Sequence, residues 1–380
     1  MARRRALRLL GAGAAAGVAL APPRAGADSA AASVSEADRG FAGLGAAADG
    51  YAAVTPGRPI VFPRDYGQHP DYRIEWWYLT ANLETAAGAP MGVQWTLFRQ
   101  ALSPGDDPAA PRPGWRSPQI WMAHAAATSG AAHEFAERVA RGGAGHAGAV
   151  PEPFSAWLDD WAMEGTGEGI QDLRLRAAAP RFDYDLTLRA DGPIALQGQN
   201  GYSVKAPARD GGAPQASYYY SQPHYRASGR LRLRDDIFDV TGRAWLDREW
   251  SSQPLSPDQL GWDWVSLHLS SGEKLMAFRL RRRAGPPDLA ANWIGRGGLS
   301  RPLAAESLSI EPVEGSRDAR GAPLRWRIAA RSEGLEIVTD ILNPDVWQGE
   351  RIQYFEGPIT ATGTHAGGGY LEMTGYGADA

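Results

Sequence analysis

Beyond residue 57 the chain is a succession of short apolar and aromatic runs, bounded by Gly, Pro, Asp and Asn. Runs of this length that alternate apolar with polar residues are what half-buried β-strands produce. Residues 73–83 form an aromatic strand, and after a turn at 86–90 residues 91–100 form its hairpin partner. Further strands are expected at 119–128, 173–177, 182–189, 217–221, 229–233 and 239–245. Others follow at 262–269, 274–281, 324–330, 335–340, 354–363 and 369–376. Only 133–141 reads as a helix, apart from a short one near 36–44. Many short strands with turn residues between them indicate an all-β barrel or sandwich.

A weak internal repeat divides that pattern in two. Trp76, Trp77 and Tyr78 open a hairpin whose second strand ends at Arg99, and Trp262, Asp263 and Trp264 open another that ends at Arg281. The expected architecture is therefore two lipocalin-like antiparallel β-barrels in tandem, over 58–210 and 211–380. The division falls in the 206–214 stretch, which carries Pro207, Gly211 and Gly212. A closed sheet of about eight strands leaves room inside for one small ligand. At least one interior pocket lined by inward-facing aromatics is thus expected.

The N-terminus reads as an export signal rather than structure. Arg3, Arg4, Arg5 and Arg8 precede an apolar run over 9–20, and Ala25, Gly26 and Ala27 offer a small-residue cleavage site. The run is too short to span a bilayer, so a periplasmic or secreted protein without a stable membrane anchor is expected. Its arginines loosely match a twin-arginine signal. Residues 28–57, rich in Ala and Gly, read as a linker. Loss of 1–27 removes five Arg and no acid, taking the net charge from −4 to −9. So acidic a protein is a poor partner for nucleic acid. The chain has no cysteine, which excludes disulfides, thiolate nucleophiles and Cys–zinc sites. No His-x-His, His-Glu-x-x-His, Gly-x-Ser-x-Gly, P-loop or dinucleotide fingerprint is present, so neither metal nor cofactor is expected.

Three clusters could carry chemistry. On the strand through 242–250, Trp245, Asp247 and Glu249 share one face and Leu246, Arg248 and Trp250 the other. Inside a barrel, desolvation and mutual repulsion would raise one carboxyl pKa and create a general acid. Alternatively both acids pair with arginines and hold the barrel mouth. His224 follows Pro223 at a strand start, where it either activates water or hydrogen-bonds a buried Tyr. Glu75 shares a face with Trp77, as a second pocket acid or as the buried partner of Arg99.

Taken in order, these clusters resemble the carotenoid 1,2-hydratase (hydroxyneurosporene synthase) and AttH-like proteins. The resemblance is carried by His69-Pro70-Asp71, Glu75-Trp76-Trp77-Tyr78, Gly201-Tyr202-Ser203, Tyr219-Tyr220-Ser221, Trp245-Leu246-Asp247-Arg248-Glu249-Trp250, Gly261-Trp262-Asp263-Trp264 and the 369–376 segment. It spans about residues 60–376. It implies paired lipocalin-like domains and a hydro-lyase that adds water to an acyclic isoprenoid alkene without a cofactor. Asp247 would then be the acid and His224 or a carboxylate such as Glu249 the water-delivering group. Trp245, Tyr220 and Trp264 would line the ligand site, with Glu75 and Trp77 beside them. The competing expectations are a non-enzymatic lipid or isoprenoid carrier serving an export system, and a scaffold whose barrels are filled by their own side chains.

Overall fold

The computed structural model describes residues 48–105, 117–208, 213–253, 255–350 and 352–377. The expected leader at 1–27, the helix near 36–44 and most of the 28–57 linker lie outside these residues. The first sheet contains β1 (Ile74–Thr85), β2 (Pro90–Ala101), β3 (Gln119–Ser129), β4 (Ala132–Arg141), β5 (Ala147–Pro151), β6 (Phe154–Leu158) and β7 (Trp161–Gly165). It continues with β8 (Asp172–Ala179), β9 (Phe182–Ala190), β10 (Ala195–Leu196), β11 (Tyr202–Ala206), β12 (Gln215–Leu233) and β13 (Asp236–Ser251). The second sheet contains β14 (Gln259–Leu269), β15 (Lys274–Arg282), β16 (Asp288–Ile294), β17 (Ser300–Pro302) and β18 (Leu308–Pro312). It ends with β19 (Arg325–Ala330), β20 (Leu335–Ile341), β21 (Trp347–Gln348), β22 (Tyr354–Gly363) and β23 (Gly367–Thr374).

Strand order in the first sheet is β4-β3-β2-β1-β13-β12-β9-β8-β7-β6-β5, with β10 and β11 attached to β12. The second runs β17-β16-β15-β14-β23-β22-β20-β19-β18, with β21 on β22. Each sheet curls round its own apolar core, the two-barrel, all-β architecture expected. Trp77, Trp95, Trp121 and Trp161 fill the first core, and Trp326, Phe355 and Met373 belong to the second.

The expected division at 210 does not coincide with the change of sheet. β12 and β13, over 215–251, sit in the middle of the first sheet, and the chain passes to the second between Ser251 and Gln259. Pairing of β13 with β1 closes a long-range register from Ile74↔Ser251 to Thr85↔Val240 that no local signal announces. The two short strands expected at 217–221 and 229–233 are one strand, β12. Its register shifts between Gln222 and Tyr225, where Pro223 has no N–H for the ladder, and the resulting bulge accommodates it.

Residues 133–141 are strand β4, not a helix. Their Ala, Glu and Arg content favours a helix locally, but a ten-residue segment gains more from a ladder to β3, from Ser129↔Ala132 to Ile120↔Arg141. β5 to β7 and β16 to β18 gave no sequence signal of their own, being short and bounded by ordinary turns.

A third apolar cluster lies between the two sheets. It takes Tyr78, Tyr219 and Trp245 from the first and Trp264, Phe278 and Tyr370 from the second. The approach is close: Asn82 Nδ2 donates to Gly369 O at 2.8 Å, and a Cβ on Gly92 would lie 2.5 Å from Tyr370 Oη and 2.8 Å from Pro358 Cγ. Gly92→Val is therefore expected to overpack the seam and cost about 1–3 kcal/mol. Urea titration would read this as a lower midpoint with an unchanged m value; a midpoint equal to that of the parent protein would show the seam to be compliant.

Candidate functional site

The outward faces of the central strands enclose a cavity of about 370 Å³ between the two sheets. Strand alternation builds it. On β1, Trp77 and Leu79 enter the first core while Trp76 and Tyr78 face the cavity. On β14, Val265 and Leu267 enter the second core while Trp262 and Trp264 face the cavity. The repeated hairpins seen in the sequence thus supply matching aromatic rows to opposite walls. The expectation of a pocket inside a barrel is corrected for this cavity, which lies between the sheets; among the described residues each barrel interior holds a cluster of buried apolar side chains.

Register then defines two polar rows. In the first sheet Ser221, Asp247, Tyr78, Thr96, His124 and Glu137 are successive cross-strand partners on β12, β13, β1, β2, β3 and β4. In the second, Phe278, Trp264, Glu372 and Glu356 follow one another on β15, β14, β23 and β22. Three contacts at these rows join the two sheets. Tyr78 Oη donates to Glu356 Oε1 at 2.5 Å, Trp264 Nε1 donates to Tyr219 Oη at 3.3 Å, and Tyr354 Oη hydrogen-bonds His124 Nδ1 at 2.6 Å.

Asp247 is the most constrained group on the wall. Its Oδ1 accepts from Trp245 Nε1 at 2.7 Å and from Ser221 Oγ, and its Oδ2 accepts from Tyr219 Oη at 2.8 Å. Burial raises its pKa, the three donors oppose that rise, and nearby Glu249 adds to it; the result is a carboxyl pushed up to about 7. Oδ1 receives two donors and Oδ2 one, so Oδ2 keeps the lone pair available for the acid proton. Glu249 also lines the cavity, but Lys205 Nζ at 2.9 Å neutralises it. Lys205 itself lies over the rings of Tyr219 and Phe278, 4.6 and 4.5 Å from their centroids.

The other candidates fall elsewhere. Trp264 lines the cavity as expected, and Trp245 stands just behind the wall as a donor to Asp247. His224 does not line it. It is buried beyond the β12 bulge, and burial next to Lys274 lowers its pKa to about 4, leaving it neutral near pH 7. Tyr220 points the opposite way, its Oη donating to Asp65 O at 3.3 Å, because alternation puts Tyr219 and Ser221 on the side of Asp247. Glu75 and Trp77 face the first core. Glu75 accepts from both Arg99 and Arg248, and the Arg248 guanidinium lies 3.8 Å from the Trp77 ring centroid. Burial alone would raise the Glu75 pKa, but the two arginines and His69 hold it well below the ordinary carboxylate value. Glu75 is thus the arginine-paired acid of the two readings offered for it.

Sequence reasoning missed Glu372, Glu356, Tyr78 and Lys205. Glu372 and Tyr78 stood inside quoted motifs, but nothing local distinguishes them from packing residues. Burial raises the pKa of Glu372 to about 7; Trp262 Nε1, donating to its Oε1 at 2.8 Å, opposes the rise and Asp247 reinforces it. Among the described residues no group of three His, Cys, Asp or Glu is placed to hold a metal ion. An apolar cavity with a carboxyl of raised proton affinity, Asp247, on its wall is suited to donating a proton to an apolar ligand.

Comparison with known proteins is consistent with this geometry. The model of the family described as AttH-like matches residues 53–376. The crystal structure of an AttH candidate from Nitrosomonas europaea is 36% identical, covers 86% of this chain and 99% of that one, and superposes with a TM-score of 0.74. Kievitone hydratase from Nectria haematococca has the same fold at 16% identity, with a TM-score of 0.61 over 86% of this chain and 96% of that one. No curated protein matches the chain.

Two measurements check the electrostatics. Arg248→Met leaves Glu75 buried with a single arginine and is expected to cost about 3–5 kcal/mol in urea unfolding; a loss under 1 kcal/mol would contradict the arrangement. For Asp247, the folded state keeps a proton that the unfolded chain releases between about pH 4 and 7. Its stabilising contribution is full below about pH 4 and is lost as pH rises towards 7. Asp247→Asn should therefore flatten the stability profile in that window by up to about 1.4 kcal/mol per pH unit. An unaltered slope would mean that Asp247 is ionised throughout.

Proposed function

The chain belongs to the AttH-like family, and we propose that it is a hydro-lyase that adds water across a C=C bond of an apolar isoprenoid or comparable lipid, with Asp247 as the acid. One observation carries this reading: a fully buried carboxyl, with a pKa pushed up to about 7, opens onto an apolar, aromatic-walled cavity and has no basic partner among its hydrogen bonds.

The chemistry follows from that placement. A trisubstituted alkene accepts the Asp247 proton at its less substituted carbon and becomes a tertiary cation. Ring faces supplied by Trp76, Tyr78 and Trp264 offset the lost solvation, each by about 2 kcal/mol when desolvated. Ser221, Trp245 and Tyr219 already point donors at the carboxylate left behind, so no reorganisation is needed as its charge appears. Water completes the addition and leaves a tertiary alcohol. The ligand displaces bulk water and so restricts competing capture. We also propose an export leader at 1–27, placing this reaction in the periplasm or outside the cell.

Purified mature protein would be incubated with geranylgeraniol and with lycopene, following tryptophan quenching and the mass gain of one water. Quenching with alcohol formation is expected. Asp247→Asn should keep the quenching and lose at least about 10²-fold in rate. Quenching by the parent protein with no alcohol would leave the family member a carrier, the second reading of the sequence; undiminished turnover in Asp247→Asn would remove Asp247 as the acid.

A further inference from the structure

His224 lies outside the cavity, so the water that attacks the cation needs another base, and the second sheet supplies one. β22 and β23 place Glu356 directly opposite Glu372, a separation of about 5 Å between Cβ atoms. Glu75 and Asp263, buried on the core faces, are paired with arginines. Glu356 and Glu372 instead meet only neutral donors among their described hydrogen bonds: Tyr78 and Gln348 at Glu356, Trp262 at Glu372. Two carboxylates this close in an apolar enclosure cannot both be charged, so the pair holds a proton. Their exposure decides where. Glu356 is sealed at 1% exposure behind the wall, whereas Glu372 is partly exposed and lines the cavity. The residual charge therefore belongs on Glu372, and the Trp262 N–H supports it there.

We propose that Glu372 is the general base that takes a proton from the attacking water, and that Glu356 is a positioning residue that keeps Glu372 ionised by holding the proton of the pair. The proposal rests on the hydration reading and gives the two sheets separate tasks. Asp247 on β13 passes its proton to the alkene carbon. The water oxygen then bonds to the cationic carbon as one of its O–H bonds breaks, and that proton goes to Glu372. Return of a proton from Glu372 to Asp247 through water restores the starting state, so alkene and water give alcohol with nothing else consumed. The titratable groups around Glu372 are Glu356 and Tyr354 on β22, Tyr78 on β1, and Asp247 and Glu249 on β13, with Lys205 on β11 neutralising Glu249. Burial raises the pKa of both groups, and repulsion from Glu372 raises that of Glu356 further, which agrees with Glu356 holding the proton.

The test runs Glu372→Gln, Asp247→Asn and Glu356→Gln with geranylgeraniol in D₂O, reading alcohol formation and deuterium in recovered alkene. Glu372→Gln should lose at least about 10²-fold in alcohol while recovered alkene still gains deuterium, because the cation forms with a deuteron from Asp247 and collapses by losing a proton to it. Asp247→Asn should lose both signals. Glu356→Gln should lower alcohol formation near neutral pH and move the acidic limb of the kcat/KM profile to higher pH, since Glu372 loses the partner that holds the pair's proton; an unmoved limb removes Glu356 from this role. Near-parental alcohol formation by Glu372→Gln, or loss of deuterium exchange along with alcohol, overturns this role alone. If the parent protein yields neither alcohol nor exchange, the hydration reading falls and takes this proposal with it.

Discussion

Strands β1, β13, β14 and β23 are buried on both faces, and the rest of the molecule is arranged around that demand. One face of each closes a barrel core; the other is covered only because the second sheet lies against the first. A strand buried on both sides reads as a nearly continuous apolar run, which is why residues 76–81 and 244–250 contain so few ordinary surface residues. The cavity is what remains where the two outward faces do not quite meet. Neither barrel alone would enclose it, since each contributes one wall.

The same constraint separates two kinds of buried acid. On the core faces, Glu75 and Asp263 lie near the starts of the repeated hairpins and are neutralised by arginines from the adjoining strands, Arg99 in one case and Arg279 in the other. These pairs avoid an uncompensated charge and hold the strand ends together. On the cavity faces, Asp247, Glu356 and Glu372 receive hydrogen bonds from hydroxyl, indole and amide donors but no arginine. Burial there raises the proton affinity of all three carboxyl groups beside aromatic rings. Because the cavity lies between the sheets, each sheet presents a carboxyl group to it, Asp247 from the first and Glu372 from the second.

Much of this could be read from the chain. Alternation placed most of the strands, marked the paired Trp hairpins, and put Asp247 and Glu249 on one face with Arg248 and Trp250 on the other. It failed where a local preference was outweighed by pairing, as at 133–141, and the resemblance placed Tyr220 at the ligand site where alternation on β12 turns it away. It also could not say which face of a doubly buried strand meets its own core. His224 drew attention through its chemistry but is held behind the wall by the Pro223 bulge.

What the sequence determined by itself was the class of fold, the family, and the periodicity that groups side chains into faces, because these depend on spacing along a single strand. The tertiary structure alone decided that the cavity lies between the barrels rather than within one. It also decided that Asp247 meets Tyr219 and Ser221, and that Glu356 and Glu372 come within reach of Tyr78 nearly 300 residues earlier. Those contacts depend on register between distant strands and on the seating of one sheet against the other. A linear pattern cannot encode either, because proton affinity is set by what surrounds a carboxyl in space rather than by its neighbours along the chain.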